Sequence, residues 1–261
     1  MNRDRQLSLF VLACLLTGLM LGCGGGQNKK PPADPEPKPL SVSQQMQLAQ
    51  SQMTAGRVGE SLATLDGAVA MEPDNARLRQ FYGETCLNGG LLQDAEKAFQ
   101  KALELDPYLT DAHLYLGAVY QEMDRLADAE QQYLLALNNP AYPQPEKIYL
   151  GLGMLYQRQM RLDEAEEQLR TSVGIDPKFY RGHFELAGIL EERGDLDEAI
   201  AEYVVAEPGF VNDAVYHYRL GFAYFRNGER YQARSLLSRA VDLAPGSVVA
   251  KEADDLLKMI D

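Results

Sequence analysis

The sequence predicts an all-α solenoid of six helix-turn-helix repeats closed by a C-terminal capping helix. Three observations lead there: small residues recur at fixed intervals, prolines fall on the same grid, and an amphipathic segment follows the last repeat. Gly83, Gly117, Gly153, Ala187 and Gly221 are spaced by 34, 36, 34 and 34 residues. Ala95, Ala129, Ala165, Ala199 and Ala233 keep those intervals, as do Ala102, Ala136, Ser172, Ala206 and Ala240. Pro73, Pro107, Pro177 and Pro245 fall on the grid as well, with Pro140 and Pro208 one and three residues early. A period between 20 and 50 residues marks stacked repeats, and a stutter shared by independent slots is hard to obtain otherwise.

Composition agrees. The chain has 261 residues, 46% hydrophobic and 24% charged, so a packed core is available. Its net charge of −13 is the wrong sign for a protein that neutralises phosphates, which sets nucleic acid aside as a partner. Three Cys and three His leave little for a metal cluster, and no cofactor is implied.

The elements follow in order. Arg3 and Arg5 precede an uncharged run from Leu7 to Leu21, and Gly22-Cys23-Gly24 comes next. That run is shorter than the ~20 residues of a membrane-spanning helix but suits the core of a signal peptide. Its end resembles a bacterial lipoprotein signal with Met20-Leu21-Gly22-Cys23 as the lipobox. The resemblance implies that residues 1–22 are removed and that Cys23 becomes the diacylated first residue. Gly24 supplies no retention signal of the Asp type, so the implied address is the periplasmic side of a bacterial outer membrane. An uncleaved membrane anchor is the alternative, and Val11-Leu12-Ala13-Cys14 is a rival lipobox.

Residues 23–41 read as the lipidated Cys and a linker. Three Gly and five Pro favour extended chain that reaches roughly 50 Å from a lipid surface. The first 38 residues hold five Lys/Arg and three Asp/Glu, so the body carries −15. An anionic body would not adhere to an anionic leaflet, which leaves attachment to the lipid.

The 34-residue period with its small, aromatic and proline slots resembles the tetratricopeptide (TPR) repeat, which implies a right-handed superhelix. On that grid six repeats begin at Val42, Ala76, Thr110, Glu146, Tyr180 and Ala214 and fill residues 42–247. Leu48-Ala49, Tyr82-Gly83, Leu116-Gly117, Leu152-Gly153, Leu186-Ala187 and Leu220-Gly221 occupy the large-small pair of each first helix. Phe99, Tyr133 and Tyr203 occupy the aromatic slot of the second, with Leu65, Leu169 and Leu237 in the others. Small residues let paired helices approach, and large ones fill the opposing gaps. Gln52 and Ser61 stand where Tyr and Ala are usual, which marks the first repeat as a terminal unit. Residues 248–261 form the capping helix: Val249, Ala253, Leu256, Leu257 and Ile260 recur at helical spacing and cover the last open face.

Nothing in the chain supports catalysis. His113, His183 and His217 share the fourth slot of their repeats, a pattern of packing or groove residues. Cys86 in a tyrosine slot reads as a small buried hydrophobe. Glu164, Glu166 and Glu167, like Glu191, Glu192 and Asp195, read as solvated surface. HExxH, GxSxG and a phosphate-binding GKS/T are absent. The protein is therefore expected not to be an enzyme.

The TPR resemblance implies a protein or peptide partner in the concave groove, touching the second, fifth, ninth, twelfth and thirteenth residues of each first helix. Those slots hold Leu114, Leu150, Met154, Phe184, Tyr218, Phe222 and Phe225, with Val215 beside them. The alternative for the sixth repeat is that the capping helix covers these side chains. Repeats one and two offer Gln50, Arg77, Gln80, Glu84 and Asn88, so the groove is polar at its start and apolar at its end. The Lys/Asn clamp that holds a C-terminal carboxylate in chaperone-binding members is absent.

Two extra residues lie within Asn138-Asn139-Pro140-Ala141-Tyr142-Pro143-Gln144-Pro145, where prolines oppose helix. A tolerated loop insertion is one reading. Yet six repeats behind a lipidated Cys, with Tyr142-Pro143 followed by Tyr149, Leu150 and Leu152-Gly153, resemble the pilotin lipoproteins of type IV pilus biogenesis. That resemblance implies binding to the secretin subunit and a role in its localisation and assembly. A general periplasmic scaffold that recruits peptidoglycan or polysaccharide-export enzymes is the other reading.

Overall fold

The computed structural model describes residues 39–260; the expected signal peptide, Cys23 and most of the expected linker lie outside the described residues. Helices alternate between an inner and an outer row. The six hairpins pair α1 (Val42–Thr54) with α2 (Val58–Met71), α3 (Ala76–Asn88) with α4 (Leu92–Leu105), and α5 (Thr110–Glu122) with α6 (Leu126–Leu137). They continue with α7 (Pro145–Arg158) and α8 (Leu162–Ile175), α9 (Tyr180–Arg193) and α10 (Leu196–Ala206), and α11 (Ala214–Arg226) and α12 (Arg230–Leu243). A short 3-10 turn, Glu207–Gly209, follows α10, and α13 (Val248–Ile260) packs on α12 and α11. No strand occurs among the described residues.

Starts and stops follow from local chemistry. Ser41 forms a capping box with Gln44, and the Asn75 and Asp213 side chains accept from the Leu78 and Tyr216 amides. Pro145 was expected to resist helix, but it occupies the first turn of α7, where its missing N–H has no helical partner to lose. The fifteenth residue of every repeat turns the chain through the left-handed region. Gly56, Gly90, Gly194 and Gly228 do so at φ from +72° to +90°, whereas Asp124 and Met160 do so at +62° and +61°. An unbranched residue with a Cβ pays conformational energy there, and Met160 is largely exposed with no packing to offset it.

Packing within each hairpin turns on the small slots. A Cβ on Gly83 would lie 2.9 Å from the Phe99 ring, and one on Gly117 would lie 2.7 Å from Tyr133. On Gly153 it would lie 2.5 Å from Leu169 Cγ, and on Gly221 3.0 Å from Leu237. These separations let the inner and outer helices meet backbone to side chain, and Phe99, Leu169 and Leu237 are fully buried. The largest core cluster runs from Cys86 to Ala199, joining repeats two to five. Cys86 is buried as expected, and burial pushes its thiol up to about 11.

The first repeat satisfies its two unusual residues internally. Ser61 Oγ donates to the Ala49 carbonyl at 2.9 Å, and Thr64 Oγ1 donates to Gln52 Oε1 at 2.9 Å. Ser172 in the third alanine series likewise donates to the Glu146 carbonyl at 2.8 Å. A hydroxyl replaces a methyl at these positions because a carbonyl on the partner helix lies within reach.

Two substitutions test this account with opposite signs. Gly117→Ala would gain about 1 kcal/mol of helix propensity but drive a methyl into the Tyr133 ring, so a net loss of about 1–2 kcal/mol is expected. Met160→Gly should raise stability by about 1 kcal/mol by relieving the left-handed turn. Urea titration of the helical signal reads both.

Candidate partner-binding groove

The inner helices leave one continuous concave face, along which two cavities open. The first, about 510 Å³, is lined by Met46, Gln50, Arg77, Gln80, Glu84 and Asp111 among others. The second, about 370 Å³, lies between α5 and α7; Leu114, Tyr115, Leu150, Met154 and Phe179 form its apolar walls, with Glu122 and Lys147 at its edge. Apart from Leu109, Tyr133 and Phe179, these linings fall on slots two, five, six, nine, twelve and thirteen. Slot six, filled by Gln47, Phe81, Tyr115 and Gly151, was missed in the sequence. Phe179 was missed too, because it precedes α9 and belongs to no helix periodicity.

The expected anchors separate into three groups. Leu114, Leu150 and Met154 come together in the second cavity. Phe184 is half-buried in an aromatic cluster, 4.9 Å from Phe210 and 5.6 Å from Tyr203 between ring centres. Most of its surface goes to packing within repeats five and six. Tyr218 and Phe225 pack with Leu256 and Leu257 of the capping helix, and Phe222 stacks on Tyr218 with ring centres 6.1 Å apart. The cap thus covers part of the apolar end, and in the second cavity the half-buried Leu150 and Met154 stand over a floor to which the buried Leu114 belongs.

Gly151 has a specific task in that cavity. A Cβ there would lie 2.7 Å from the Tyr133 ring, so the ring sits between Gly117 of α5 and Gly151 of α7. Tyr133 Oη donates to Gln121 Oε1 at 3.1 Å, and Arg158 of α7 donates to the Gln121 carbonyl at 2.6 Å. Burial raises the Tyr133 phenol far above its ordinary range, so the hydroxyl keeps its proton for that bond.

The same arrangement recurs two repeats later with a charge in it. Tyr203 Oη donates to Glu191 Oε2 at 2.9 Å, and Arg226 donates to the Glu191 carbonyl at 3.1 Å. Arg219 Nη2 lies 3.3 Å from Glu191 Oε2, and its Nε donates to Tyr203 Oη at 3.1 Å. Glu191 was expected on solvated surface; it is instead buried at 6% exposure, because a tyrosine and two arginines replace its water. Its neighbours Glu192 and Asp195 are exposed. Glu166 is largely covered as well, between Arg170 at 2.8 Å and Arg193 at 3.0 Å.

The three histidines are latches. Each Nε2 donates to the carbonyl six residues upstream: Pro107 for His113 at 3.1 Å, Pro177 for His183 at 3.2 Å, and Val211 for His217 at 2.9 Å. Nδ1 of His113 meets Gln132 and that of His183 meets Glu202, both 19 residues on. The equivalent position for His217 is Leu236, so its Nδ1 has no partner. The insertion is pinned rather than presented: Tyr142 is buried, its Oη donates to Asp111 at 2.6 Å, and Asn139 donates to Thr110 Oγ1 at 2.8 Å. Burial and the adjacent Asp111 carboxylate push the Tyr142 phenol well above its ordinary range.

Three tetratricopeptide-repeat family models match the chain, one over residues 46–109 and 150–209, one over 98–131 and one over 216–247. The chain is a tetratricopeptide-repeat protein. The stretch between the matched segments, 132–149, contains the insertion. Over 186 residues this TPR chain is 26% identical to the BBSome complex member BBS4 of Bos taurus, and the match spans about a third of that protein's length (35%). Among solved structures it resembles PilF of Pseudomonas aeruginosa, at 19% identity and a TM-score of 0.70, with 82% of this chain and 96% of that one covered. It also resembles PilW, described as a widely conserved type IV pilus biogenesis factor, at 20% identity and a TM-score of 0.72, with 81% and 97% covered. Likeness at this identity establishes the fold, which is a protein-interaction scaffold with a peptide-accepting groove.

The Glu191 node gives a measurable contrast between adjacent carboxylates. Glu191→Ala leaves Tyr203 and Arg219 without their acceptor and should cost about 1–3 kcal/mol, moderated because both arginines are about one-third exposed (35% and 36%). Glu192→Ala should change stability by less than about 0.5 kcal/mol. Denaturant titration of both variants separates the two.

Proposed function

We propose that the protein is a lipid-anchored assembly and localisation factor of the bacterial envelope, pilotin-like, whose groove holds a segment of the type IV pilus secretin subunit. The observation that carries this reading is coverage: residues of this one chain account for 96% of the PilF structure and 97% of PilW, end to end rather than as a shared fragment. The second cavity supports it, because Leu150 and Met154, half-buried over the core residue Leu114, give an apolar recess on the inner face that suits an extended or amphipathic segment. The lipobox-like run ending at Cys23 supports attachment to the outer membrane, with the Gly/Pro linker setting the reach.

The full chain, expressed in a bacterium that has a type IV pilus secretin, tests partner and anchor separately. A photo-crosslinking residue in place of Met154 should join the protein to the secretin subunit, and one in place of Glu192 should not. Leu150→Asp should abolish the adduct while helical content stays intact. Absence of a secretin adduct from Met154 would overturn the partner assignment. Cys23→Ala should release the protein from the membrane fraction or leave an unprocessed precursor; unchanged processing and fractionation would overturn the anchor.

A further inference from the structure

The concave face is electrically divided. Over slots two, five, six, nine, twelve and thirteen, α1, α3 and α5 contribute one basic residue, Arg77, against Glu84, Asp111 and Glu122. Over the same slots, α7, α9 and α11 contribute five basic residues against three acidic ones. A half-groove of net +2 therefore lies inside a body of −15. Positive potential confined to a concave strip of an anionic protein marks where a ligand's negative charge is favoured.

Within that half, the geometry concentrates charge at one place. Glu191 engages Arg219 and Arg226 at once, so two guanidinium groups share one buried carboxylate and a positive charge is left over. The bonds described above use Nε and Nη2 of Arg219 and Nη1 of Arg226, out of the five donors that each guanidinium offers. Both side chains keep about a third of their surface exposed. Slot nine of α9 is the buried Gly188, and a Cβ there would lie 3.2 Å from Arg219 Nη2, so the missing side chain leaves room for that guanidinium to lie against α9 beside Glu191. Arg226 is further held over the Phe222 ring, 5.8 Å from its centre.

We infer that the groove over the fifth and sixth repeats binds an acidic side chain of an extended peptide partner, with the partner's apolar residues in the cavity between α5 and α7. Guanidinium groups fixed by Glu191 and Tyr203 lose little freedom on meeting a carboxylate. Inner helices in neighbouring repeats pack ~9 Å apart, so α7 to α11 is roughly 20 Å, or about six residues of extended chain. The charge division also orients the partner, acidic end over α9 and α11 and polar or basic end over Glu84 and Asp111. Burial raises the Glu84 carboxyl above its usual range, a bias that an approaching cation would reverse. This assignment rests on the groove being the binding face, as in the proposed function, but not on the secretin being the partner.

The test uses the full chain and three synthetic twelve-residue peptides built on one leucine pair. One has Glu six residues beyond the pair and an amidated C-terminus, one has Gln there with the same amide, and one has Gln with a free C-terminal acid. Fluorescence anisotropy at low salt should show the Glu peptide binding about tenfold more tightly than either Gln peptide, with the gap closing as salt is added. Arg226→Gln should remove the preference, so that the Glu and amidated Gln peptides bind this variant equally. Gly188→Ala, which shifts the Arg219 guanidinium without altering charge, should reduce the preference; helical content and melting of both variants are checked alongside. Equal binding of Glu and amidated Gln peptides, no binding by any of the three, or a preference that survives in Arg226→Gln would overturn the inference. Equal binding of the free-acid and Glu peptides would overturn the choice of a side chain over a terminal acid. A Glu preference without a secretin crosslink would retain the groove chemistry and remove only the pilus partner.

Discussion

The structure depends on one contact repeated along its length: a residue with little or no side chain on an inner helix against a ring or branched side chain from the outer helix. Gly83 with Phe99, Gly117 with Tyr133, Gly153 with Leu169 and Gly221 with Leu237 set the hairpin spacing. Because the apolar face of each inner helix is spent there, the opposite face is left to line a groove. Tyr133 joins the two roles, since its ring fills the gap between Gly117 and Gly151 and also forms part of the cavity that Leu114 and Met154 enclose. Core and binding surface are therefore one piece of packing, and a groove residue behind the cavity wall cannot change without moving the repeat interface.

Much of the fold was legible because packing slots are periodic and periodicity survives in composition. The intervals between Gly83 and Gly221 and between Ala95 and Ala233 located the second to sixth hairpins, one further period back located the first, and Val249 to Ile260 located the cap. Pro145 was less legible, because the same residue breaks a helix interior and begins a helix well. Only the local hydrogen-bond count tells these apart.

The candidate site was legible in part. Leu114, Leu150 and Met154 followed from slot arithmetic, whereas Phe184, Tyr218 and Phe225 occupy groove slots but give much of their surface to neighbours that arrive later in the chain. Glu191 was hidden for a related reason. A carboxylate's burial is decided by what replaces its water, and here the replacements are Tyr203, Arg219 and Arg226 from two other helices. A signal existed in the twelve-residue spacing of Gln121 to Tyr133, which Glu191 and Tyr203 repeat. The histidine latches left a similar trace, since their shared slot lies six residues after a carbonyl at each repeat boundary.

Arg158 and Arg226 have a consequence for how the chain comes into being. Each reaches back to a carbonyl in the last turn of an inner helix of the preceding repeat, Gln121 and Glu191 respectively, and so supplies positive charge at the negative pole of a helix dipole. The two arginines come 37 and 35 residues after the groups they complete. A solenoid that emerges N-terminus first therefore holds its third and fifth repeats without that terminal charge until the next inner helix arrives. Maturation is directional at these two joints: the third hairpin is sealed by the fourth repeat and the fifth by the sixth.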